Sequence, residues 1–187
     1  ARPVNYHLAA LNKLGMNYKL KDGYILAQSN GRLKGAKITF PRISVGATEN
    51  TIIAACLAKG NTILNNCAIE PEIKDLTNFL NSAGAKIRWS GRSCKIEGVD
   101  SLKQTEYSIM SDRIEAATFC VASTLAKGNL EIKNINYKLI KTELALLKKA
   151  GAKIKTIGDK IFIKGPKKIR SIKNISTKEW PGVSTDM

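Results

Sequence analysis

Leu80 to Gly98 reads L-N-S-A-G-A-K-I-R-W-S-G-R-S-C-K-I-E-G, and Leu147 to Gly165 reads L-K-K-A-G-A-K-I-K-T-I-G-D-K-I-F-I-K-G. Leu11 to Ala27 is a looser copy, L-N-K-L-G-M-N-Y-K-L-K-D-G-Y-I-L-A. Each copy reads as a helix end, a glycine stop, a short strand, a turn containing glycine and a second strand, which is a helix feeding a hairpin. Gly15, Gly84 and Gly151 set the period, at steps of 69 and 67 residues. A period this long marks a supersecondary unit reused within a domain, not a solenoid of short repeats.

A second repeated block lies upstream. Ala54 to Asn61 reads A-A-C-L-A-K-G-N and Ala122 to Asn129 reads A-S-T-L-A-K-G-N, 68 residues on. Together the blocks define a βαβαββ module: a strand, a helix ending at Leu-Ala-Lys-Gly, the strand Thr62-Ile63-Leu64, a helix from about Glu72 to Ser82, and the hairpin. The chain is expected to hold the tail of one module, a complete one from about Ala36 to Gly98, another from about Tyr107 to Gly165, and the opening of a fourth. The fold class is therefore α/β (α+β), built from repeats.

The 187 residues are 43% hydrophobic and 25% charged, ordinary for a soluble globular protein. No apolar run approaches the roughly 20 residues needed to span a bilayer, and the N-terminus lacks the layout of a signal peptide, so a cytoplasmic location without membrane contact is expected. Cys56, Cys67, Cys94 and Cys120 have no C-x-x-C spacing and His7 is the only histidine, so no metal site is expected. Cys56 and Cys120 fall among small apolar residues in the two matching helices, where cysteine is a small buried hydrophobe.

A net charge of +16 raises nucleic-acid binding as a hypothesis. Against it, only seven basic residues are arginines, the lysines are scattered through all modules, and aromatics are 6% with no aromatic-basic interleaving to stack bases. Solvated lysines account for this pattern better, and a cleft for a multiply anionic small molecule would also draw on positive potential.

Leu8, Leu11 and Leu14 place a helix from about Asn5, with Arg2 beside its N-terminus, where free backbone N–H groups and a guanidinium suit an anion. Arg42 and Ser44 stand at a second helix start, Ser44 as a candidate N-cap, with Gly46 opening the backbone to close approach. Ser111-Asp112-Arg113 and Pro181-Gly182-Val183-Ser184-Thr185-Asp186-Met187 occupy the equivalent place in later modules. If these turns face one way, their helix N-termini converge on an anion-binding cleft. Glu70-Pro71-Glu72 reads as a helix start whose acidic residues complement the dipole.

At Ala1-Arg2-Pro3-Val4, Ser44-Val45-Gly46-Ala47-Thr48, Glu70-Pro71-Glu72-Ile73, Ser111-Asp112-Arg113-Ile114-Glu115 and Thr185-Asp186-Met187 the chain resembles the enolpyruvyl transferase family, over its whole length. The resemblance implies modules arranged in two lobes around inward-pointing helices, an inside-out α/β barrel arrangement, with residues 1–110 in the first lobe and 111–187 in the second, after a linker at Val99 to Thr105. It implies transfer of the enolpyruvyl group of phosphoenolpyruvate to the 3-hydroxyl of UDP-N-acetylglucosamine, the first committed step of peptidoglycan synthesis, without a cofactor. The alternative is a non-catalytic basic module binding nucleic acid or another anionic polymer.

Carried over residue by residue, the resemblance places the sugar nucleotide on Arg2, Pro3, Val4, Asn5 and Tyr6, on Arg42, Ile43, Ser44 and Val45, and on Asp186, which is also the catalytic carboxylate. Asn5 stands where the family has Asp, Tyr6 where it has Leu, Arg42 where Lys is common, and Val183-Ser184 where it has Phe-Pro. The family's reactive cysteine precedes the A-R-P-V segment, and none of the four cysteines matches it. The chain is therefore expected to be an internal part of a longer enzyme, inactive alone.

Overall fold

The computed structural model describes residues 4–184, which divide into two compact units with the chain boundary after Ile109. In the first, helix α1 (Asn5–Lys13) leads into the antiparallel hairpin β1 (Met16–Lys21) and β2 (Tyr24–Ser29). There follow β3 (Lys37–Thr39), α2 (Val45–Cys56), β4 (Asn61–Asn65), α3 (Pro71–Ser82), β5 (Lys86–Ser90) and β6 (Ser93–Glu97). This is the complete βαβαββ module read from the sequence. Its sheet has the order β3-β4-β6-β5, with β3 parallel to β4 and the other pairs antiparallel.

The second unit holds α4 (Arg113–Leu125), β7 (Asn129–Ile132), a 3-10 turn (Tyr137–Ile140), α5 (Lys141–Lys149), β8 (Lys153–Ile157) and β9 (Lys160–Lys164). Its sheet, β7-β9-β8, repeats the first with one strand fewer. The opening strand expected near Tyr107 is absent. Its residues are spent on α3 instead: the Tyr107 hydroxyl donates to Asp75 Oδ1 at 2.9 Å, its ring meets Phe79 edge-on at 5.6 Å, and Lys103 N donates to Ala83 O at 2.7 Å. The segment read as a linker is strapped down as well. Arg32 donates to Leu57 O at 2.9 Å, to Val99 O at 2.8 Å and to Asp100 Oδ1 at 2.5 Å.

The repeated words have a physical basis. Gly15, Gly84 and Gly151 take φ of 102°, 98° and 106°, the left-handed region in which a helix can be stopped without a Cβ penalty. Ala85 N then reaches back to Leu80 O, and Ala152 N to Leu147 O, both at 2.9 Å, the six-to-one bond that closes the last turn. The hairpin's final glycine meets the other repeated block: Gly98 N donates to Gly60 O at 2.9 Å, and Gly165 N to Gly128 O at 2.8 Å. The two repeats are thus the two halves of one contact, made once per unit.

Alternation decides which face of each sheet is buried. Ile38, Leu64, Ile87 and Ile96 point with Cys94 into the first core, closed by Phe40, Ile52, Ile73 and Leu14. In the second unit Ile161 and Ile163 pack with Cys120, Ile135, Ile140, Leu144 and Leu147. All four cysteines are free and buried. Hairpin β1–β2 is different, for Leu20, Tyr24, Ile25 and Leu26 stand exposed on it, at 71%, 73%, 42% and 54%.

Candidate substrate site at paired helix N-termini

Helices α1 and α2 lie side by side and run the same way. Near their starts, a Cβ on Gly46 would sit 3.1 Å from His7 Cε1, and Asn50 Nδ2 lies 3.2 Å from His7 Nδ1. Near their ends, Leu14 O accepts from Lys34 N, while Leu33 O accepts from Lys59 N just beyond α2, both at 2.8 Å. The two N-termini therefore come together at one end of the unit. Gly46 does not open the backbone to a ligand; its missing side chain makes room for the His7 ring.

Chemically this end is a donor-rich surface. In α1 the first backbone bond is Leu8 N to Val4 O at 3.1 Å, and no side chain among the described residues caps the helix, which leaves the amides of Asn5, Tyr6 and His7 pointing out of its start. In α2, Ser44 caps as expected: its Oγ accepts from Ala47 N at 3.3 Å and its carbonyl accepts from Thr48 N and Thr48 Oγ1 at 3.0 and 2.8 Å. The amides of Val45 and Gly46 remain ahead of that cap. Two adjacent helix dipoles and their free N–H groups favour an anion, and the exposed Arg42 supplies a planar guanidinium beside them.

The side chains named from the sequence divide into two sets. Tyr6, Ile43 and Val45 are half-buried against the first core, so at this end they present backbone. Val4, Asn5 and Arg42 are exposed, and Ser44 is committed to its cap. Arg2, Pro3 and Asp186 lie outside the described residues. The helix start at Ser111 belongs to the other unit, and there Asp112, not Ser111, is the cap, accepting from Ile114 N at 2.8 Å and Glu115 N at 3.0 Å. Ser111 instead donates its hydroxyl to Asn134 O.

Glu49, Glu70 and Glu72 come close enough to interact electrostatically, which no sequence pattern announced. Glu49 on α2 is raised above the ordinary carboxylate range, first by burial and then by the charges of Glu72 and Glu70. Glu70, read as a dipole-complementing residue, is 5% exposed, and its Oε2 has no hydrogen-bond partner. Pro71 at the first position of α3 was the available signal, since it fixes where the helix starts and hence where Glu70 stands.

None of the cysteines has the character of a nucleophile. Burial pushes the thiols of Cys56 and Cys120 up to about 11, and that of Cys67 up to about 12 against the opposing charge of Arg92. Cys94 is raised too, by burial first and then by Cys67 and Cys56. Among the described residues no three His, Cys, Asp or Glu side chains form a group that could hold a metal ion, and no helix is long and apolar enough to cross a membrane.

A repeated α/β module with donor-rich helix starts defines a fold class, and comparison with known proteins gives the family. Residues 1–187 match the family model described as EPSP synthase (3-phosphoshikimate 1-carboxyvinyltransferase), and the chain belongs to that family. Within it, the chain is 55% identical over 187 residues to the UDP-N-acetylglucosamine 1-carboxyvinyltransferase of Pelagibacter ubique (strain HTCC1062), and 45% identical over 188 residues to that of Shewanella halifaxensis (strain HAW-EB4). Each match takes in 100% of this chain and 45% of the relative, so the chain spans about half the length of the curated relatives it matches.

Solved structures agree on the fold. The enolpyruvyl transferase NikO from Streptomyces tendae superposes with a TM-score of 0.82 at 20% identity, over 99% of this chain and 47% of that one. The EPSP synthase from Acinetobacter baumannii gives a TM-score of 0.65 at 20% identity, over 91% and 41%. The resemblance read from the A-R-P-V and S-V-G-A-T segments is thus borne out, as is the α/β fold. The relatives cited carry transferase names, not names of nucleic-acid-binding modules.

Proposed function

We propose that the chain is part of a UDP-N-acetylglucosamine 1-carboxyvinyltransferase, which moves the enolpyruvyl group of phosphoenolpyruvate onto the 3-hydroxyl of the sugar nucleotide. The observation that carries this reading is the 55% identity over all 187 residues to a relative of that name. The paired starts of α1 and α2, with Arg42 exposed beside them, add a physical reason: a nucleotide diphosphate needs N–H donors and cations in one place. On this reading the enzyme acts in the cytoplasm at the first committed step of peptidoglycan synthesis, and so serves cell-wall formation, cell shape and division. Residues 1–110 would belong to one lobe and 111–187 to the other.

The chemistry assigns the residues distinct tasks. Arg2, Arg42 and the amides of Asn5, Tyr6 and Val45 hold the diphosphate, with Pro3, Val4, Ile43 and Ser44 shaping the backbone that presents them. Addition forms a bond from the sugar oxygen to C2 of phosphoenolpyruvate while C3 gains a proton. Elimination then breaks the C2–O bond to phosphate and removes a proton from C3, restoring the double bond. Asp186 accepts the proton that the sugar hydroxyl loses as it attacks.

Kinetics of the full-length gene product test these assignments. Arg42→Ala should raise the KM for UDP-N-acetylglucosamine by an amount worth about 1.5–3 kcal/mol, the range for a hydrogen bond to a charged group, with kcat little changed. Asp186→Ala should lower kcat by about 10²–10⁴-fold with the fold intact. An unaltered KM in the first variant, or a wild-type kcat in the second, would remove the corresponding residue from the site.

A further inference from the structure

The segment that leads into Thr185-Asp186 is tied to the start of α5 by two side chains that no sequence pattern singles out. Residues 177–183 fold into a tight loop: Lys178 N donates to Val183 O at 3.0 Å, Gly182 N donates to Glu179 O at 2.8 Å, and Thr177 and Val183 form a parallel bridge. The tip of that loop is pinned twice. Trp180 Nε1 donates to Leu139 O at 3.2 Å, and Thr142 Oγ1 donates to Pro181 O at 2.6 Å. Leu139 lies in the 3-10 turn and Thr142 at the second position of α5, so both anchors belong to one corner, whose Ile140 and Leu144 are core residues. Val183, at the loop's end, is buried.

We propose that Thr142 and Trp180 are positioning residues for the reaction, fixing where the loop delivers Asp186, three residues beyond Val183. The inference rests on the reading of Asp186 as the proton acceptor. Proton transfer demands a carboxylate within hydrogen-bond reach of the hydroxyl, so a loop free to wander would spend much of its time with that oxygen misplaced. The polypeptide before the loop offers little restraint, since residues 165–176 contain no helix or strand, although Arg170 N is held by Ala150 O at 2.9 Å. Restraint therefore has to come from the corner. Each anchor is a side chain bonded to backbone; Thr142→Val removes one with its volume nearly conserved, and Trp180→Phe removes the other while keeping an aromatic ring.

Thr142→Val and Trp180→Phe in the full-length enzyme each delete one hydrogen bond. Each should lower kcat by about 3- to 10-fold, the loss of one neutral hydrogen bond expressed as a rate, while both KM values stay within about twofold. Thr142→Ser, which keeps the hydroxyl, should restore kcat. In the 187-residue chain itself, amide hydrogen exchange over 177–183 should quicken in Thr142→Val while α5 keeps its protection. Asp186→Ala, assayed in parallel, separates the two claims. If it is inactive while Thr142→Val and Trp180→Phe match wild type, the positioning role is overturned and the proton acceptor stands. If Asp186→Ala turns over normally, both fall.

Discussion

Replacing Gly98 by alanine tests the contact on which each unit is built. A Cβ at this position would lie 1.7 Å from Ala58 O, 2.8 Å from Ala58 C and 3.2 Å from Gly60 O. Reaching even a 3.0 Å contact with Ala58 O requires the end of β6 and the turn after α2 to separate by about 1.3 Å. Both partners are backbone, so no side chain can swing aside. Overpacking of this kind costs about 1–3 kcal/mol, and losing the 2.9 Å bond from Gly98 N to Gly60 O adds about 1 kcal/mol. A loss of about 2–4 kcal/mol from a unit of this size lowers its Tm by roughly 10–25 °C. Each unit carries one tryptophan, Trp89 in the first and Trp180 in the second, so fluorescence melts of single-tryptophan variants report the units separately. Gly98→Ala should depress the Trp89 transition, and Gly165→Ala, whose Cβ would lie 2.7 Å from Ser123 O, the Trp180 transition. Gly128→Ala, with nothing closer than 3.9 Å, should leave both within about 0.5 kcal/mol of wild type. An unshifted Trp89 melt in Gly98→Ala would refute the view that this contact needs glycine at the end of the hairpin.

Three further outcomes follow from the cores and the acidic cluster. The four thiols should resist an aromatic disulfide reagent at neutral pH until the chain is unfolded, because all four are buried and raised, Cys56, Cys67 and Cys120 to about 11–12, and supply almost no thiolate; rapid native modification would contradict this. Glu49→Gln should stabilise the first unit at neutral pH. The folded-state pKa of Glu49 is raised, so its ionisation penalises the fold, and that penalty appears only as pH climbs from the unfolded value near 4.5 through the folded one. Urea midpoints should therefore converge for Glu49→Gln and wild type in acid and separate towards neutrality; a gap that widened in acid would reverse the sign. The 187-residue chain alone should release no phosphate from phosphoenolpyruvate and UDP-N-acetylglucosamine, because it spans 45% of its relatives and its thiols are buried; measurable turnover would overturn that.

Much of the architecture was legible in the repeats because glycine and leucine sit where backbone geometry demands them. Gly84 and Gly151 stop helices in the left-handed region, Leu80 and Leu147 carry the carbonyls that close them, and alternation around Ile87 and Ile96 fixes the buried face. The strand expected near Tyr107 failed for a reason that local pattern cannot encode. Its tyrosine found Asp75 and Phe79, residues nearly thirty or more positions upstream. The site was legible as two separate helix starts, at Asn5 and Ser44. That they lie side by side depends on His7 fitting against Gly46, a contact across 39 residues of sequence. Glu49, Glu70 and Glu72 stayed hidden for the same reason, as did Thr142 and Trp180, whose partners are backbone carbonyls with no signature of their own.

On the proposed function, the full-length protein hands the enolpyruvyl group to a sugar nucleotide. Its family model bears the name of the 3-phosphoshikimate enzyme, whereas its curated relatives bear the name of the UDP-N-acetylglucosamine enzyme. Phosphate release from phosphoenolpyruvate by the full-length gene product, measured with each acceptor in turn, decides between them. Release that requires UDP-N-acetylglucosamine and does not occur with 3-phosphoshikimate is the predicted result. Release with 3-phosphoshikimate alone, or with neither acceptor, would contradict that function.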